Sequence, residues 1–207
     1  MSLMAQMAES REALPGAIGR AEPQALTCPW ESSRFVAPGS VRIAWCPDAL
    51  MVRGELSDDD VFTRAKQDSE YFWELGDVFE IFLEAEESGF YTEMHIAPGN
   101  LRLHLKIRPE DYAAMVAHEV SPGDLTVTPP GFESRFELIP GGWAAEAVIP
   151  VEAVDPKGLL TEESRWWASF CRYNAWKDGR PPELTSTSPH GHPANFHSRT
   201  DWRQLCF

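Results

Sequence analysis

The sequence predicts an all-β protein, a two-sheet antiparallel β-sandwich carrying one or two short helices. Three observations carry this expectation. Between residues 73 and 107, three consecutive runs alternate side by side. Phe79, Ile81 and Leu83 interleave with Glu80, Phe82 and Glu84; Thr92, Met94 and Ile96 interleave with Tyr91, Glu93 and His95; Leu101, Leu103, Leu105 and Ile107 interleave with Arg102, His104 and Lys106. Period two marks antiparallel strands with one buried and one wetter face. Seventeen Pro and 14 Gly cut the chain into short pieces, which suits a loop-rich β protein better than a helical one. Finally, 43% hydrophobic content, with eight Trp and eleven Phe, gives 207 residues ample material for one core.

Taken in order, residues 1–24 are polar and small, punctuated by Pro15, Gly16 and Pro23, and are expected to form a mobile or loosely docked arm. Residues 1–3 read as vector-derived, and 25–207 as a single domain. A strand is expected around 33–37, ended by Pro38-Gly39. Segments 41–45 and 50–56 form a hairpin across Cys46-Pro47-Asp48-Ala49. The acids Asp58, Asp59 and Asp60 follow. They lack the spacing of a calcium loop of the EF-hand kind and read as an acidic turn, leaving calcium possible but not required. After the three central strands, Pro109 followed by Glu110 and Asp111 opens a short helix over 109–120. Strands are expected again at 125–128, 133–139 and 143–149, a short helix within 151–164, a strong strand at 166–174, a long loop over 176–200 and a closing strand at 202–207.

Charge and cysteine usage narrow the function. A net charge of -14 repels nucleic acid and anionic membrane alike, so neither is expected as a partner. Cys28, Cys46, Cys171 and Cys206 form no CxxC pair, so no structural zinc site and no required disulfide is expected. No run approaches eighteen apolar residues, and the start lacks the basic-then-apolar order of a secretory signal. Localisation stays open: cytoplasmic if the chain is complete, secreted if it is trimmed.

Alternation places Glu80, Glu93, His95, Arg102 and His104 on one wetter face, with Phe82 and Tyr91 among them. Carboxylates, imidazoles, a guanidinium and aromatic rings on one sheet face suit a polar ligand; a plain solvated face is the competing reading. Arg172 and Asn174 are polar positions within a strand. They complete a hydrogen-bonding ring with Glu80 and Glu93 if their faces adjoin; the competing reading is a Glu–Arg ion pair holding a buried polar spot together.

The order of these pieces resembles the family 9 carbohydrate-binding modules and the wider group of DOMON-like sandwich domains. The matching words are Val41-Arg42-Ile43-Ala44-Trp45 with Ala49-Leu50-Met51-Val52, then Trp73-Glu74 ahead of Asp77-Val78-Phe79-Glu80-Ile81-Phe82-Leu83. Tyr91, Glu93 and Pro98-Gly99 follow, then Gly142-Trp143 with Glu146 and Ile149-Pro150, then 167–174, and last Asn195-Phe196-His197 through the C-terminal strand. The resemblance covers about residues 41–207. It implies a jelly-roll or immunoglobulin-like sandwich and non-catalytic binding of a saccharide or similar polyhydroxylated ligand. Aromatic rings would clasp a terminal sugar while polar side chains bond its hydroxyls.

The residues expected to line that site are Trp73, Glu80, Glu93, His95, Arg102, Arg172, Asn174, Trp176, Asn195 and His197, with no catalytic residue, no metal ligand and no cofactor. Trp73 is the natural stacking platform, and its competing role is core packing. A structural or protein-binding sandwich is the alternative. A glycosidase using Glu80 and Glu93 and a b-type haem domain drawing on Met94, His95, His104, Met115 or His118 rank below. His190, His192 and His197 cluster in the late loop and are expected to stay without metal.

Overall fold

The computed structural model describes residues 2–31 and 36–207; the strand expected around 33–37 lies largely outside the described residues. The strands are β1 (Leu3–Met4), β2 (Gln6–Met7), β3 (Gln24–Ala25), β4 (Gly39–Cys46), β5 (Ala49–Ser57), β6 (Val78–Ala85), β7 (Tyr91–Ala97), β8 (Leu101–Ile107), β9 (Glu133–Ile139), β10 (Gly142–Pro150), β11 (Trp166–Asn174), β12 (Glu183–Ser186) and β13 (Arg203–Cys206). Three short helices accompany them: α1 (Leu14–Ile18), α2 (Phe72–Leu75) and α3 (Pro109–Val116). One sheet has the order β1-β13-β11-β6-β7-β8, with β12 on β11. The other has the order β2-β4-β5-β10-β9, with β3 on β4. Face to face they make the expected β-sandwich.

Each long strand sends alternate residues inward. Val41, Ile43 and Trp45 of β4 and Leu50, Val52 and Leu56 of β5 meet Phe79, Ile81 and Leu83 of β6, Met94 and Ile96 of β7, and Trp166, Ala168 and Phe170 of β11; all are buried. Gly54 interrupts the apolar series of β5 because Phe79 needs the room: a Cβ there would stand 3.0 Å from the ring. On the outer face of the same sheet, Arg53 bridges Glu55, at 2.9 Å, and Glu146 of β10.

Two expectations are corrected. Residues 2–25 are docked rather than mobile. Leu3 is fully buried in β1, which pairs in parallel with β13, and β2 pairs in parallel with β4. Leu14, Ala17 and Ile18 of α1 seal Ala44, Cys46, Ala49 and Met51 on the outside of the smaller sheet. The small residues read as loose filler are small because helix and sheet approach closely. Segment 125–128 is also no strand: Pro122–Leu125 forms a 3-10 turn, followed by a single bridge between Thr126 and Leu105.

Candidate functional site

The outer face of the seven-stranded sheet is covered rather than wet. A second apolar layer lies over it, containing Phe72, Val78, Phe82, Tyr91, Leu103, Leu105, Ile107, Phe196 and Trp202. Its roof is made of connections: α2, α3 and the late loop. Gly76 fixes α2 against the strand entrance, since a Cβ there would lie 2.5 Å from the Phe62 carbonyl oxygen. Next to it, Asp77 accepts backbone N–H groups from Phe62 and Ala175 at 2.7 and 2.9 Å, tying three segments together. In the late loop, Asn195 Oδ1 accepts the His197 N–H at 3.0 Å, while Trp202 Nε1 donates to the Phe196 carbonyl at 2.8 Å.

Under that roof the register brings three ionisable groups together. Glu80 lies opposite His95, and Phe82 opposite Glu93. Their exposures are 3%, 0% and 4% for Glu80, His95 and Glu93. His95 Nε2 is 2.6 Å from Glu93 Oε1 and 3.5 Å from Glu80 Oε1, so one imidazole edge serves both acids. Burial pushes the Glu80 carboxyl up to about 8, against the attraction of His95. Burial acts on Glu93 in the same sense, but His197 and the bond to His95 outweigh it and hold that carboxyl below its usual range. The two acids raise His95 despite its own burial. The second oxygen of Glu93, Oε2, is buried with no hydrogen-bond donor.

A cleft of about 210 Å³ opens over Glu80 and Glu93, lined by Trp73, Phe82, Leu105, Met115, Pro122, Tyr173 and residues 194–197. Tyr71 stacks on one face of the Trp73 indole, centroids 5.0 Å apart and planes 13° apart, which leaves at most one face for a ligand. On the other wall, His197 stacks on Tyr112 at 5.2 Å and is hydrogen-bonded through Nδ1 to the Tyr91 hydroxyl at 2.8 Å. Asn195 Nδ2 donates to the Tyr112 hydroxyl at 3.0 Å.

Six expected site residues therefore gather here: Trp73, Glu80, Glu93, Asn195 and His197 line the cleft, and His95 lies against its two acids. Four do not. Arg102 falls on the opposite face of the sheet, paired with Ile96, and binds Asp68 at 3.2 Å. The cause is a phase error: Leu103, Leu105 and Ile107 feed the covering apolar layer, so the polar residues of β8 turn inward at the sheet edge, where His104 meets Phe132 at 4.0 Å. Arg172 and Asn174 also face the other side. Arg172, 1% exposed, donates to the Ser57 carbonyl at 2.7 Å and to Asn174 Oδ1, and lies 3.4 Å from Asp58. The ring with Glu80 and Glu93 does not form; the buried polar spot does, but its ion pair joins Arg172 to Asp58 rather than to a glutamate. Trp176 is outside the cleft lining and lies under the Arg180 guanidinium at 3.5 Å. Met94 and His104 likewise lie on the inner face, away from His95. Tyr112 and Met115 line or buttress the cleft without a signal in the strand pattern, since the helix 109–116 carries them over the sheet; Tyr173 lines it from the predicted strand β11.

A Ser–His–Asp alignment also arises in space. His190 Nε2 is 3.2 Å from Ser169 Oγ, and His190 Nδ1 is 3.7 Å from Asp201 Oδ2. Ser169 has no exposed surface and shares its hydroxyl with Ser186 and Cys171, at 3.0 and 3.3 Å, so it has the surroundings of a packed polar ladder.

No family model matches the chain, and no curated protein matches it either. Solved structures do. A protein from Bacteroides uniformis provisionally described as carbohydrate-binding superposes with a TM-score of 0.78 at 20% identity, over 100% of this chain and 98% of that one. A family 9 carbohydrate-binding module from Caldicellulosiruptor kristjanssonii in complex with cellotriose superposes at 0.66, with 10% identity over 99% and 92% of the two chains. The glucose complex of a family 9 module from that organism gives 0.65, with 11% identity over 99% and 94%. The chain has the sandwich fold found in the family 9 carbohydrate-binding modules.

Proposed function

We propose that the chain binds a saccharide non-covalently, taking one sugar ring into the cleft above Glu80 and Glu93. The observation that carries this reading is the meeting of buried hydrogen-bond acceptors with an aromatic wall. Trp73 lines the cleft, with Tyr71 stacked on one indole face and the His95 ring set T-shaped to it at 5.5 Å, and Glu80, Glu93, Asn195 and His197 supply partners for hydroxyls. A larger hollow of about 690 Å³ at the sandwich edge, among Thr92, Lys106 and residues 127–131, shares no lining residue with this cleft and holds no comparable convergence of buried ionisable groups. The cleft's smaller size favours a single ring over a bound chain. The fold neighbours support the same reading, since two of them are described with glucose or cellotriose bound. Calorimetric titration with glucose, xylose, cellobiose and cellotriose, preceded by a glycan array, tests it. Trp73→Ala is expected to weaken the best ligand by about 1.4 kcal/mol or more, a tenfold loss. Failure of every saccharide to bind, or an affinity indifferent to Trp73→Ala, would sink the proposal.

One observation favours a second reading. Burial raises the Glu80 carboxyl while His197 and His95 hold Glu93 below its usual range within one cleft, the direction of split used by a glycosidase acid and its partner carboxylate. Steady release of nitrophenol from aryl glycosides, abolished by Glu80→Gln, would move the assignment from binding to hydrolysis.

A further inference from the structure

We propose that Glu80, Glu93 and His95 form a site for one divalent transition-metal cation of the zinc or manganese class, with an open coordination position turned to the cleft. The inference uses the same cleft as the saccharide reading but needs no sugar to be true.

Three observations support it. One donor atom from each residue lies within 4.8 Å of the others, and all three side chains are buried. Metal–ligand bonds of about 2.0–2.2 Å place ligand atoms roughly 3.3 Å apart. The His95 Nε2 to Glu80 Oε1 distance of 3.5 Å already meets that spacing, and the 2.6 Å contact to Glu93 Oε1 needs to open by less than an ångström. Glu93 Oε2, buried beside the cleft, accepts no hydrogen bond, with His197 Nδ1 standing 3.8 Å away. The charge count points the same way. Two carboxylates this close and this dry must share protons or a cation, and a dication with both acids ionised and His95 neutral leaves the site electrically balanced. The mixed N/O donor set suits zinc or manganese; calcium takes oxygen alone. With Nε2 on the metal, the ring proton of His95 moves to Nδ1, which has no acceptor, so the affinity falls short of that of a structural zinc site whose histidines are anchored. His197 is next in line but is tied to Tyr91.

The test begins with chelator-treated protein titrated with ZnCl2 and MnCl2 by calorimetry, and with CoCl2 by visible absorption. One equivalent is expected to bind the wild type and raise its melting temperature. Glu93→Gln is expected to lose more than the roughly 10–100-fold that removing an outer partner costs. Anomalous scattering from a zinc-soaked wild-type crystal provides a check that needs no variant. No saturable binding by the wild type overturns the proposal. So does undiminished binding in a correctly folded Glu93→Gln protein, or an anomalous peak on the late-loop histidines or on Asp58–Asp60. Repeating the sugar titration with and without metal separates the two ideas: sugar bound by metal-free protein with no metal uptake keeps the first and removes the second, and metal uptake with no sugar bound does the reverse.

Discussion

The two faces of the seven-stranded sheet each bury a polar cluster, and the clusters differ in how their charge is met. On the inner face, the guanidinium of Arg172 lies among Asp58, Asn174, the Ser57 carbonyl and, further off, Asp77 and Glu183. Cation and acceptors all come from the chain. On the outer face, Glu80 and Glu93 share the imidazole edge of His95, Glu93 Oε2 lies 3.8 Å from His197 Nδ1 without a hydrogen bond, and the cleft opens above. The inner cluster balances a guanidinium against carboxylates of the chain and is closed over, although Arg172 Nε and Nη1 and Asp58 Oδ2 make no hydrogen bond; the outer one sets two acids around one imidazole at the floor of an opening.

Substitutions on the two faces should therefore fail in different ways. The largest effect is expected from Arg172→Met, which strands Asp58 and Asp77 without their counter-ion. Chemical denaturation should show a loss of about 3–5 kcal/mol, with ligand affinity of the surviving folded protein unchanged. A stability loss below about 1 kcal/mol would erase the distinction between the faces.

Next in size is a pH effect at the inner edge. Burial, aided by the charge of Arg102, lowers His104 to about 4. The unfolded chain, titrating near 6.5, binds the proton first. Stability contributed by His104 is thus complete above pH 6.5 and is lost as pH falls toward 4, with a slope of at most about 1.4 kcal/mol per pH unit. Subtracting the denaturation profile of His104→Gln from that of the wild type isolates this group from the acids that titrate in the same range. A flat difference across that window would contradict the burial argument.

The smallest effect belongs to Arg102→Ala. Its pair with Asp68 is well exposed, at 40% and 48%, and such pairs contribute about 0–1 kcal/mol. No change in sugar or metal binding is expected; a clear loss would return Arg102 to the site.

Much of this was readable from residues alone, and the failures have one physical source. Alternation revealed the strands around Phe79, Met94 and Leu103, and their pairing, but period two is silent about which face is covered. In β6 and β7 the choice of inner face was forced by Phe79, Ile81, Met94 and Ile96. In β8 both faces are covered, one by the partner layer's edge and one by loops, and the pattern inverted without warning, taking Arg102 and His104 with it. Arg172 went astray for a related reason: whether its face adjoined Glu80 depended on a strand register, Arg172 opposite Phe79, that no local signal encodes. The roof was hardest to foresee. Tyr112 and His197 are 85 positions apart by number and stack only because α3 and the late loop fold over the same strands. Residues 2–25 were misjudged because α1 is too short and too mixed in composition to announce itself, although Leu14 and Ile18 are the residues it buries.

The pairing of β1 with β13 has a consequence for how the molecule is made. Leu3 sits beside Leu205, and three residues later the chain is in the other layer, where Gln6 sits beside Ala44. Leu3 and Leu205 lie 202 positions apart (205 − 3), so β1 must wait for every residue between them before it can latch onto β13. Until β13 arrives, the edge of β11 that it covers is bare, and the half-made protein is most vulnerable to pairing with a stranger at the place where the finished one is clasped.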